Sequence, residues 1–359
     1  MDVTKDNPFK IFLQYAIPAV FGMLAISSAS IIDGLFVGNY VGAVGLAAIN
    51  MSIPIFSLMF GLSLMLSIGS SVITGKLMAE GDTKSASLMF TKTLITMLCL
   101  SLFITVLLYF NMQTILIWFG ATPELVILST EYLSYILFFI PFLMNGIVLD
   151  YFVKIDSRPT LAFGALLFSA LINIIFDWLL IVEFEQGIIG AALATGLSQI
   201  GLVAVLLPHF FSKKSTIFFV KPSGSWISII KSGVNGASEF INEMSIGITT
   251  IIFNYIMIQT FGVDGVAAYT VVNYIIWVSV MVSFGVSDSL PPIISKNFGA
   301  KEPKRIRAFL KYAFSSVFLV GILLSIITVT IPEIIIDIFL EQKDQATIDI
   351  VAIFLSLSG

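Results

Sequence analysis

Residues 27–50 read SSASIIDGLFVGNYVGAVGLAAIN, a stretch in which one acidic residue interrupts an otherwise apolar helix. That residue, Asp33, lies four positions before Val37, where we expect the helix to reach the outer edge of a membrane. A carboxylate inside the hydrocarbon layer costs about 2.5–3.5 kcal/mol on insertion scales, so such groups usually face a wet cavity or a partner. The sequence therefore predicts that function depends on what lies beside Asp33.

The composition of the chain indicates its class. Of its 359 residues 58% are hydrophobic and 11% are charged, and the mean hydropathy is +1.03. Apolar runs of about 20 residues, enough to cross a bilayer, recur along the whole length. We therefore predict an all-α polytopic membrane protein. A single cysteine excludes an intramolecular disulfide and a metal site built from cysteines.

The apolar runs predict nine complete spans and the start of a tenth. They cover residues 10–37, 44–74, 87–110, 125–152, 161–183, 187–211, 231–260, 266–295 and 309–331, followed by a segment from 346. Pro18 and Pro54 lie inside the first two spans, where proline is expected to kink a helix.

The basic residues orient these spans. Of the 18 Lys and Arg residues, 17 fall on one side of the predicted topology, and the opposite loops contribute only Lys343. Lys154 and Arg158 are assigned to one of the basic loops. Because cytoplasmic loops carry an excess of Lys and Arg, we predict a multi-pass protein of the inner (plasma) membrane with a cytoplasmic N-terminus.

A direct repeat with an offset of 220 residues predicts two lobes. Residues 41–50 (VGAVGLAAIN) match residues 261–270 (FGVDGVAAYT), and six helices separate the two copies, so both halves have the same orientation. Parallel repeats of this kind form transporters whose substrate site lies between the lobes. We predict an N-lobe at 1–211, a cytoplasmic linker at 212–225 and a C-lobe at 226–359. The second lobe is expected to be truncated, because the chain ends within its fourth helix.

Four polar side chains in the N-lobe are predicted to lie at neighbouring depths. At 1.5 Å per residue, Asp33, Asp177 and Thr195 lie roughly 6, 9 and 12 Å below the outer boundary. Asn173 precedes Asp177 by one turn and shares its helix face. Two carboxylates, an amide and a hydroxyl could bind Na⁺ through hard oxygen ligands, or the two acids could share a proton. A purely structural role in helix packing is the alternative, and it is weakest for the acids.

The C-lobe contains its own acidic residues, nearer the cytoplasmic side. Glu239 and Glu243 share a face of the seventh helix, and Asp288 on the eighth helix should lie level with Glu239. They could attract a cationic substrate or form a second coupling site. Alternatively they reach toward the cytoplasmic surface or form local ion pairs.

Three stretches together resemble the MATE (multidrug and toxic compound extrusion) family of the wider multidrug/oligosaccharidyl-lipid/polysaccharide flippase superfamily. They are SIIDGLFVGNYVGAVGLAAIN (30–50), GKLMAEGDTKSA (75–86), and LINIIFDWLLI with GIIGAALATGLSQ (171–199). The resemblance implies two pseudo-symmetric six-helix bundles that face each other in a V. It also implies export of organic cations and drugs in exchange for H⁺ or Na⁺.

The resemblance further implies roles for individual residues. It assigns Asp33, Asn173 and Asp177 to a cation site in the N-lobe, with Thr195 contributed by the sixth helix. Glu243 is the best match to the acidic residue that some members carry on their seventh helix.

Other function classes remain as alternatives. A lipid-linked oligosaccharide flippase of the same superfamily needs a cationic cleft, and the sequence places no Lys or Arg deep inside a span. A channel or scaffold would not require polar residues on three helices to converge, whereas Na⁺-coupled uptake stays open. The sequence contains no nucleotide-binding loop, metal-ligand spacing or nucleophile–base pair, so we predict no enzyme. We expect a monomer in the lipid bilayer, with no organic cofactor and no nucleic-acid partner.

Overall fold

The computed structural model describes residues 3–119, 121, 123–245, 248–249 and 280–330, and every regular element in these ranges is helical. The α-helices are α1 (Pro8–Phe36), α2 (Ala43–Asn50), α3 (Ile53–Ala79), α4 (Thr83–Trp118), α5 (Pro123–Ile136), α6 (Ile140–Ile155), α7 (Pro159–Asp177), α8 (Gly187–Leu206), α9 (Ile227–Asn235), α10 (Leu290–Gly299) and α11 (Pro303–Thr330). Residues 237–245 and 280–288 are also helical. Short π-helical turns cover Val37–Val41 and Trp178–Glu183, and 3₁₀ turns cover Leu137–Phe139 and Leu207–Phe211.

Seven helical segments in the described ranges are long and apolar enough to cross a membrane. They are Pro8–Val41, Ile53–Ala79, Thr83–Trp118, Pro123–Ile155, Pro159–Glu183, Gly187–Phe211 and Pro303–Leu323. These segments correspond to the predicted spans one to six and nine, so the predicted all-α polytopic fold is confirmed. The seventh and eighth predicted spans are described only in part. The repeat copy at 261–270 and the segment from 346 lie outside the described residues.

The second predicted span differs from the structure at its start. Instead of one helix over 44–74, α2 ends at Asn50 and α3 begins at Ile53 after a turn. Pro54 lies in the first turn of α3, where a missing backbone N–H leaves no hydrogen bond unmade. The expected kink at Pro54 is therefore wrong, because this proline starts a helix rather than bending one. Pro18 does lie inside a continuous α1.

Helix α1 packs against both predicted lobes. Its early residues Ile11, Phe12 and Tyr15 join a small apolar core with Val286 and Phe309 of the second half of the chain. Farther along, α1 packs on α7 within the first half. The helix that carries Asp33 therefore connects the two lobes mechanically.

The two predicted lobes contact each other along α3, which packs against α9 and α10. A Cβ atom on Gly69 would lie 1.9 Å from the carbonyl oxygen of Ser232, and one on Gly236 would lie 2.0 Å from that of Met65. Such close backbone approach requires glycine at both positions. We call this contact of α3 with α9 and α10 the seam.

One end of the molecule gathers the N-terminus and the loops at residues 80–82, 156–158 and 300–302. Arg305 Nη2 donates a hydrogen bond to the carbonyl oxygen of Val3 (2.9 Å), and Lys296 Nζ donates one to Ser157 Oγ (2.6 Å). A cavity of about 550 Å³ lies among these loops. We call this the lysine-rich end, and it is the end that the charge distribution predicts to be cytoplasmic.

The predicted linker at 212–225 lies against the first half of the chain. The backbone N–H of Thr216 donates to the carboxylate of Asp156 (3.1 Å), and that of Val220 donates to Thr91 Oγ1 (3.2 Å). Lys92 Nζ in turn donates to the carbonyl oxygen of Ser225 (2.7 Å). The segment is thus ordered and lies along α4. The division of the chain into two lobes on either side of this segment stays a prediction.

Candidate functional site

Two carboxyl groups from different helices meet in the predicted N-lobe, at the end opposite the lysine-rich end. Asp33 lies in the last turn of α1 and Asp177 is the last residue of α7, and their carboxyl groups are within hydrogen-bond reach of each other. Asp177 is fully buried, and neither of its oxygens has a hydrogen-bond donor among the described residues. Two buried carboxyl groups this close together cannot both stay negatively charged without a compensating positive charge. The pair therefore requires a shared proton or a bound cation.

Tyr132 of α5 is a member of this group that the sequence analysis missed. It is 3% exposed, its side chain lies near Thr195, and it is close enough to Asp33 and Asp177 for electrostatic interaction with both carboxyl groups. Its ring packs edge-on against Phe56, with centroids 6.4 Å apart. Tyrosine is common in membrane helices near the interface, so nothing in the sequence distinguished it.

Both acid-bearing helices change their geometry just beyond the acid. α1 passes into the π-helical turn Val37–Val41, and α7 passes directly from Asp177 into the π-helical turn Trp178–Glu183. The two turns contact each other. π-Helical turns are rare and often occur at functional sites, where they alter the direction of side chains relative to a regular helix. Regular apolar periodicity contains no signal for them.

The remaining two predicted ligands lie on α7 and on the neighbouring helix α8. Asn173 is 8% exposed and precedes Asp177 by one turn of α7, while Thr195 is half-buried on α8. α7 and α8 pack closely, with Ser169 Oγ donating to the carbonyl oxygen of Ser198 (2.9 Å). Every candidate ligand is an oxygen, which suits hard cations rather than soft ones. In the described ranges no three His, Cys, Asp or Glu side chains gather closely enough for a multivalent metal.

The predicted C-lobe acids form a second group near the seam. Asp288 is 5% exposed, and Glu239 is close enough for the two charges to repel. Glu243 is likewise close to Glu239 and lies beside Gly61 of α3. The structure therefore brings Glu239 and Asp288 together, as the expected depths indicate, at a different place from the Asp33–Asp177 pair.

A buried lysine at this second group corrects the sequence analysis. Lys154, assigned there to a loop, lies in the last turn of α6 and is 3% exposed. Its Nζ is 2.5 Å from Asp150 Oδ2 and is also paired with Asp288 Oδ2. The span continues past the predicted end at residue 152 because this ion pairing compensates a charge inside the protein. The only sequence signal was the i, i+4 spacing of Asp150 and Lys154.

Comparison with known proteins supports one family. The sequence model of the MatE family matches residues 18–179 and 239–358. "Multidrug export protein MepA" of Staphylococcus aureus (strain N315) is 24% identical over 361 residues, covering 99% of this chain and 78% of that protein. The MepA of Staphylococcus saprophyticus is 22% identical over 360 residues, with the same two coverages of 99% and 78%.

Solved structures show the same fold. A crystal structure of MATE in complex with MaD3S superposes with a TM-score of 0.91 at 21% identity, covering 99% of this chain and 80% of that chain. An outward-facing multidrug resistance MATE family transporter of the MOP superfamily gives the same values.

Proposed function

This chain belongs to the MatE family of membrane transporters, and from that premise we propose that it is a secondary-active multidrug efflux transporter. It exports organic cations and drugs as a monomer in the inner membrane, in exchange for H⁺ or Na⁺. Membership of the family makes the chain a transporter and not an enzyme. Export of drugs is supported by the multidrug export proteins that the chain resembles over 99% of its length.

The observation that carries the coupling proposal is the uncompensated pair Asp33–Asp177. The two carboxyl groups lie together in a buried place, and no ammonium or guanidinium group of the described ranges pairs with them. A cation from outside must therefore supply the missing positive charge. Both H⁺ and Na⁺ fit that requirement.

The position of α1 explains how such binding could drive transport. One end of α1 carries Asp33, and the other end packs into the small apolar core with the second lobe. Neutralising the carboxyl pair changes the forces on the outer part of α1, with Pro18 as the hinge between its two halves. The cation must stabilise one arrangement over the other, or it cannot drive the cycle. Glu239, Glu243 and Asp288 provide negative charge for a cationic substrate in the cleft.

The arrangement of the buried charges does not favour the alternative function, a flippase for lipid-linked oligosaccharides. A cleft that binds a pyrophosphate needs free cationic groups, whereas Lys154 is held between two carboxylates. We therefore rank cation export above lipid-linked oligosaccharide transport.

The test uses the protein in liposomes loaded with a fluorescent cationic dye. Dye efflux is driven separately by an imposed pH gradient and by an imposed Na⁺ gradient, for the wild type and for Asp33→Asn. We expect the wild type to respond to one gradient and the variant to neither, which also identifies the coupling ion. A matched control is Glu124→Gln, which removes an acid at the start of α5, outside the candidate site. Equal efflux by Asp33→Asn and the wild type would contradict the mechanism.

A further inference from the structure

The ion pair of Lys154 joins the two predicted lobes. Its ammonium contacts Asp150 on its own helix and Asp288 from the other half of the chain, 134 positions away. All three side chains are at least nine-tenths buried. One positive charge thus faces two negative ones, and Oδ1 of each aspartate has no hydrogen-bond partner in the part of the chain that the structure describes.

This ion pair lies at the seam. Ile155, the residue after Lys154, is so close to α3 that a Cβ atom on Gly75 would lie 2.7 Å from its Cδ1. The same Cβ would lie 2.1 Å from Ser295 Oγ of α10. The residues next to Lys154 therefore belong to the tight contact that closes the lysine-rich end.

Asp288 pairs with Lys154 and also lies close to a glutamate of the second acidic group. It pairs with Lys154 on one side, and Glu239 and then Glu243 follow it on the other. Tyr151 also lies close to Asp288. A cation that moves along the glutamates toward Asp288 would therefore meet a carboxylate already held by an ammonium group.

We propose that Lys154 is a tethered cation that holds Asp288 to lock the lysine-rich end of the seam. An organic cation binds Asp288 while that end is open, and Lys154 displaces it from Asp288 when the end closes. This inference rests on the proposed export of organic cations and adds how closure of the cytoplasmic end releases cargo from Asp288. The carboxylate of Asp288 binds one cation at a time. Cargo on Asp288 thus opposes formation of the lock, and formation of the lock displaces cargo. This exclusion supplies the differential affinity that a ligand-driven change requires.

The lock is tested first without cargo. In a Cys99→Ser background, Ala16→Cys places a thiol in the small apolar core between α1 and the second lobe, where the native residue is 6% exposed. Its reaction with a membrane-impermeant maleimide is measured in everted vesicles, which expose the predicted cytoplasmic side. Because removing one member of a buried pair leaves the other uncompensated, Lys154→Gln should increase the labelling rate by at least about tenfold.

Two variants make this test specific. Asp288→Asn should have a similar effect, and the double variant should add little to either single one, because both remove the same interaction. Lys92→Gln is the matched control, since Lys92 is equally buried but donates to the carbonyl oxygen of Ser225. Labelling of Lys154→Gln at the wild-type rate, or an equal increase in Lys92→Gln, would overturn the proposal.

Competition is tested with tetraphenylphosphonium as the organic cation. We expect it to increase labelling of Ala16→Cys when Lys154 is present, and to have no further effect in Lys154→Gln. If the wild type exports cationic dye but tetraphenylphosphonium and the dye both leave labelling unchanged, competition between cargo and Lys154 for Asp288 is wrong. If no cationic dye is exported under either gradient, the proposed function fails, and the lock is still decided by the cargo-free labelling.

Discussion

The two acidic groups of this protein differ in their counter-charge. At the end predicted to face outward, Asp33 and Asp177 face each other, and no ammonium or guanidinium group of the described residues pairs with either. Near the lysine-rich end, Asp150 and Asp288 share the ammonium of Lys154. The 19-residue helix α7 separates the two levels by roughly 25–30 Å.

This difference indicates different tasks for the two groups. A carboxyl pair without a built-in cation must obtain one from solution, so its state can follow the H⁺ or Na⁺ concentration outside. A pair that already contains a lysine is compensated within the protein, and it changes state only when that lysine moves. The first arrangement is suited to coupling, and the second to holding a contact closed.

The largest expected effect comes from giving the outer pair its own cation. In Asn173→Lys, the new ammonium would lie one turn from Asp177 and pair with it, as Lys154 does with Asp150. Releasing a buried ion pair costs about 3–5 kcal/mol, so gradient-driven dye efflux should fall by at least about 100-fold. Asn173→Gln, which adds no charge, is the control and should retain more transport. Efflux by Asn173→Lys at the wild-type rate would show that the outer pair needs no external cation.

A second prediction compares the stability of the two groups. Lys154→Met should lower the free energy of unfolding by about 3–5 kcal/mol, because two carboxylates lose their shared cation. Asp177→Asn should leave stability unchanged or increase it, since it removes a buried like charge beside Asp33. Thermal unfolding in detergent measures both changes.

A triple variant sharpens that comparison. Adding Asp150→Asn and Asp288→Asn to Lys154→Met removes every charge of the inner group and should restore most of the lost stability. If the triple variant unfolds as easily as Lys154→Met alone, the loss comes from packing around residue 154 rather than from charge.

The smallest expected effect concerns Tyr132. Tyr132→Phe removes the hydroxyl beside Thr195 while the ring keeps its contact with Phe56. We expect this hydroxyl to contribute one hydrogen bond, worth about 1 kcal/mol, when the coupling ion is bound, so the apparent affinity for that ion should fall about fivefold. The ion concentration for half-maximal efflux measures this. The control is Tyr109→Phe, since Tyr109 is 54% exposed on α4, and an equal shift in it would remove Tyr132 from the site.

The membrane spans could be predicted from apolar length alone because a span must satisfy its backbone within a helix. Seven of the predicted spans reappear in the described ranges. The break at Met51–Ser52 could not be predicted, since Pro54 is compatible both with a kink inside a helix and with the first turn of a new one. The π-helical turns after Asp33 and Asp177 leave no trace in residue type.

The residues of the candidate site likewise fall into those that the sequence could predict and those that it could not. Asp33 and Asp177 could be singled out from the sequence because a charged group is unusual in an apolar span. Tyr132 could not, since an aromatic residue near a membrane interface is common. Lys154 was misplaced because its charge suggests a loop until its two partners are known.

The sequence by itself determined that this is a polytopic helical membrane protein with acidic residues at two levels, because hydropathy and charge are properties of the residues themselves. Only the tertiary structure decided which charges compensate one another. Asp150 and Lys154 are neighbours on one helix, but Asp288 reaches them from 134 positions away. Counter-charge depends on distances between helices, and these distances follow from packing rather than from composition.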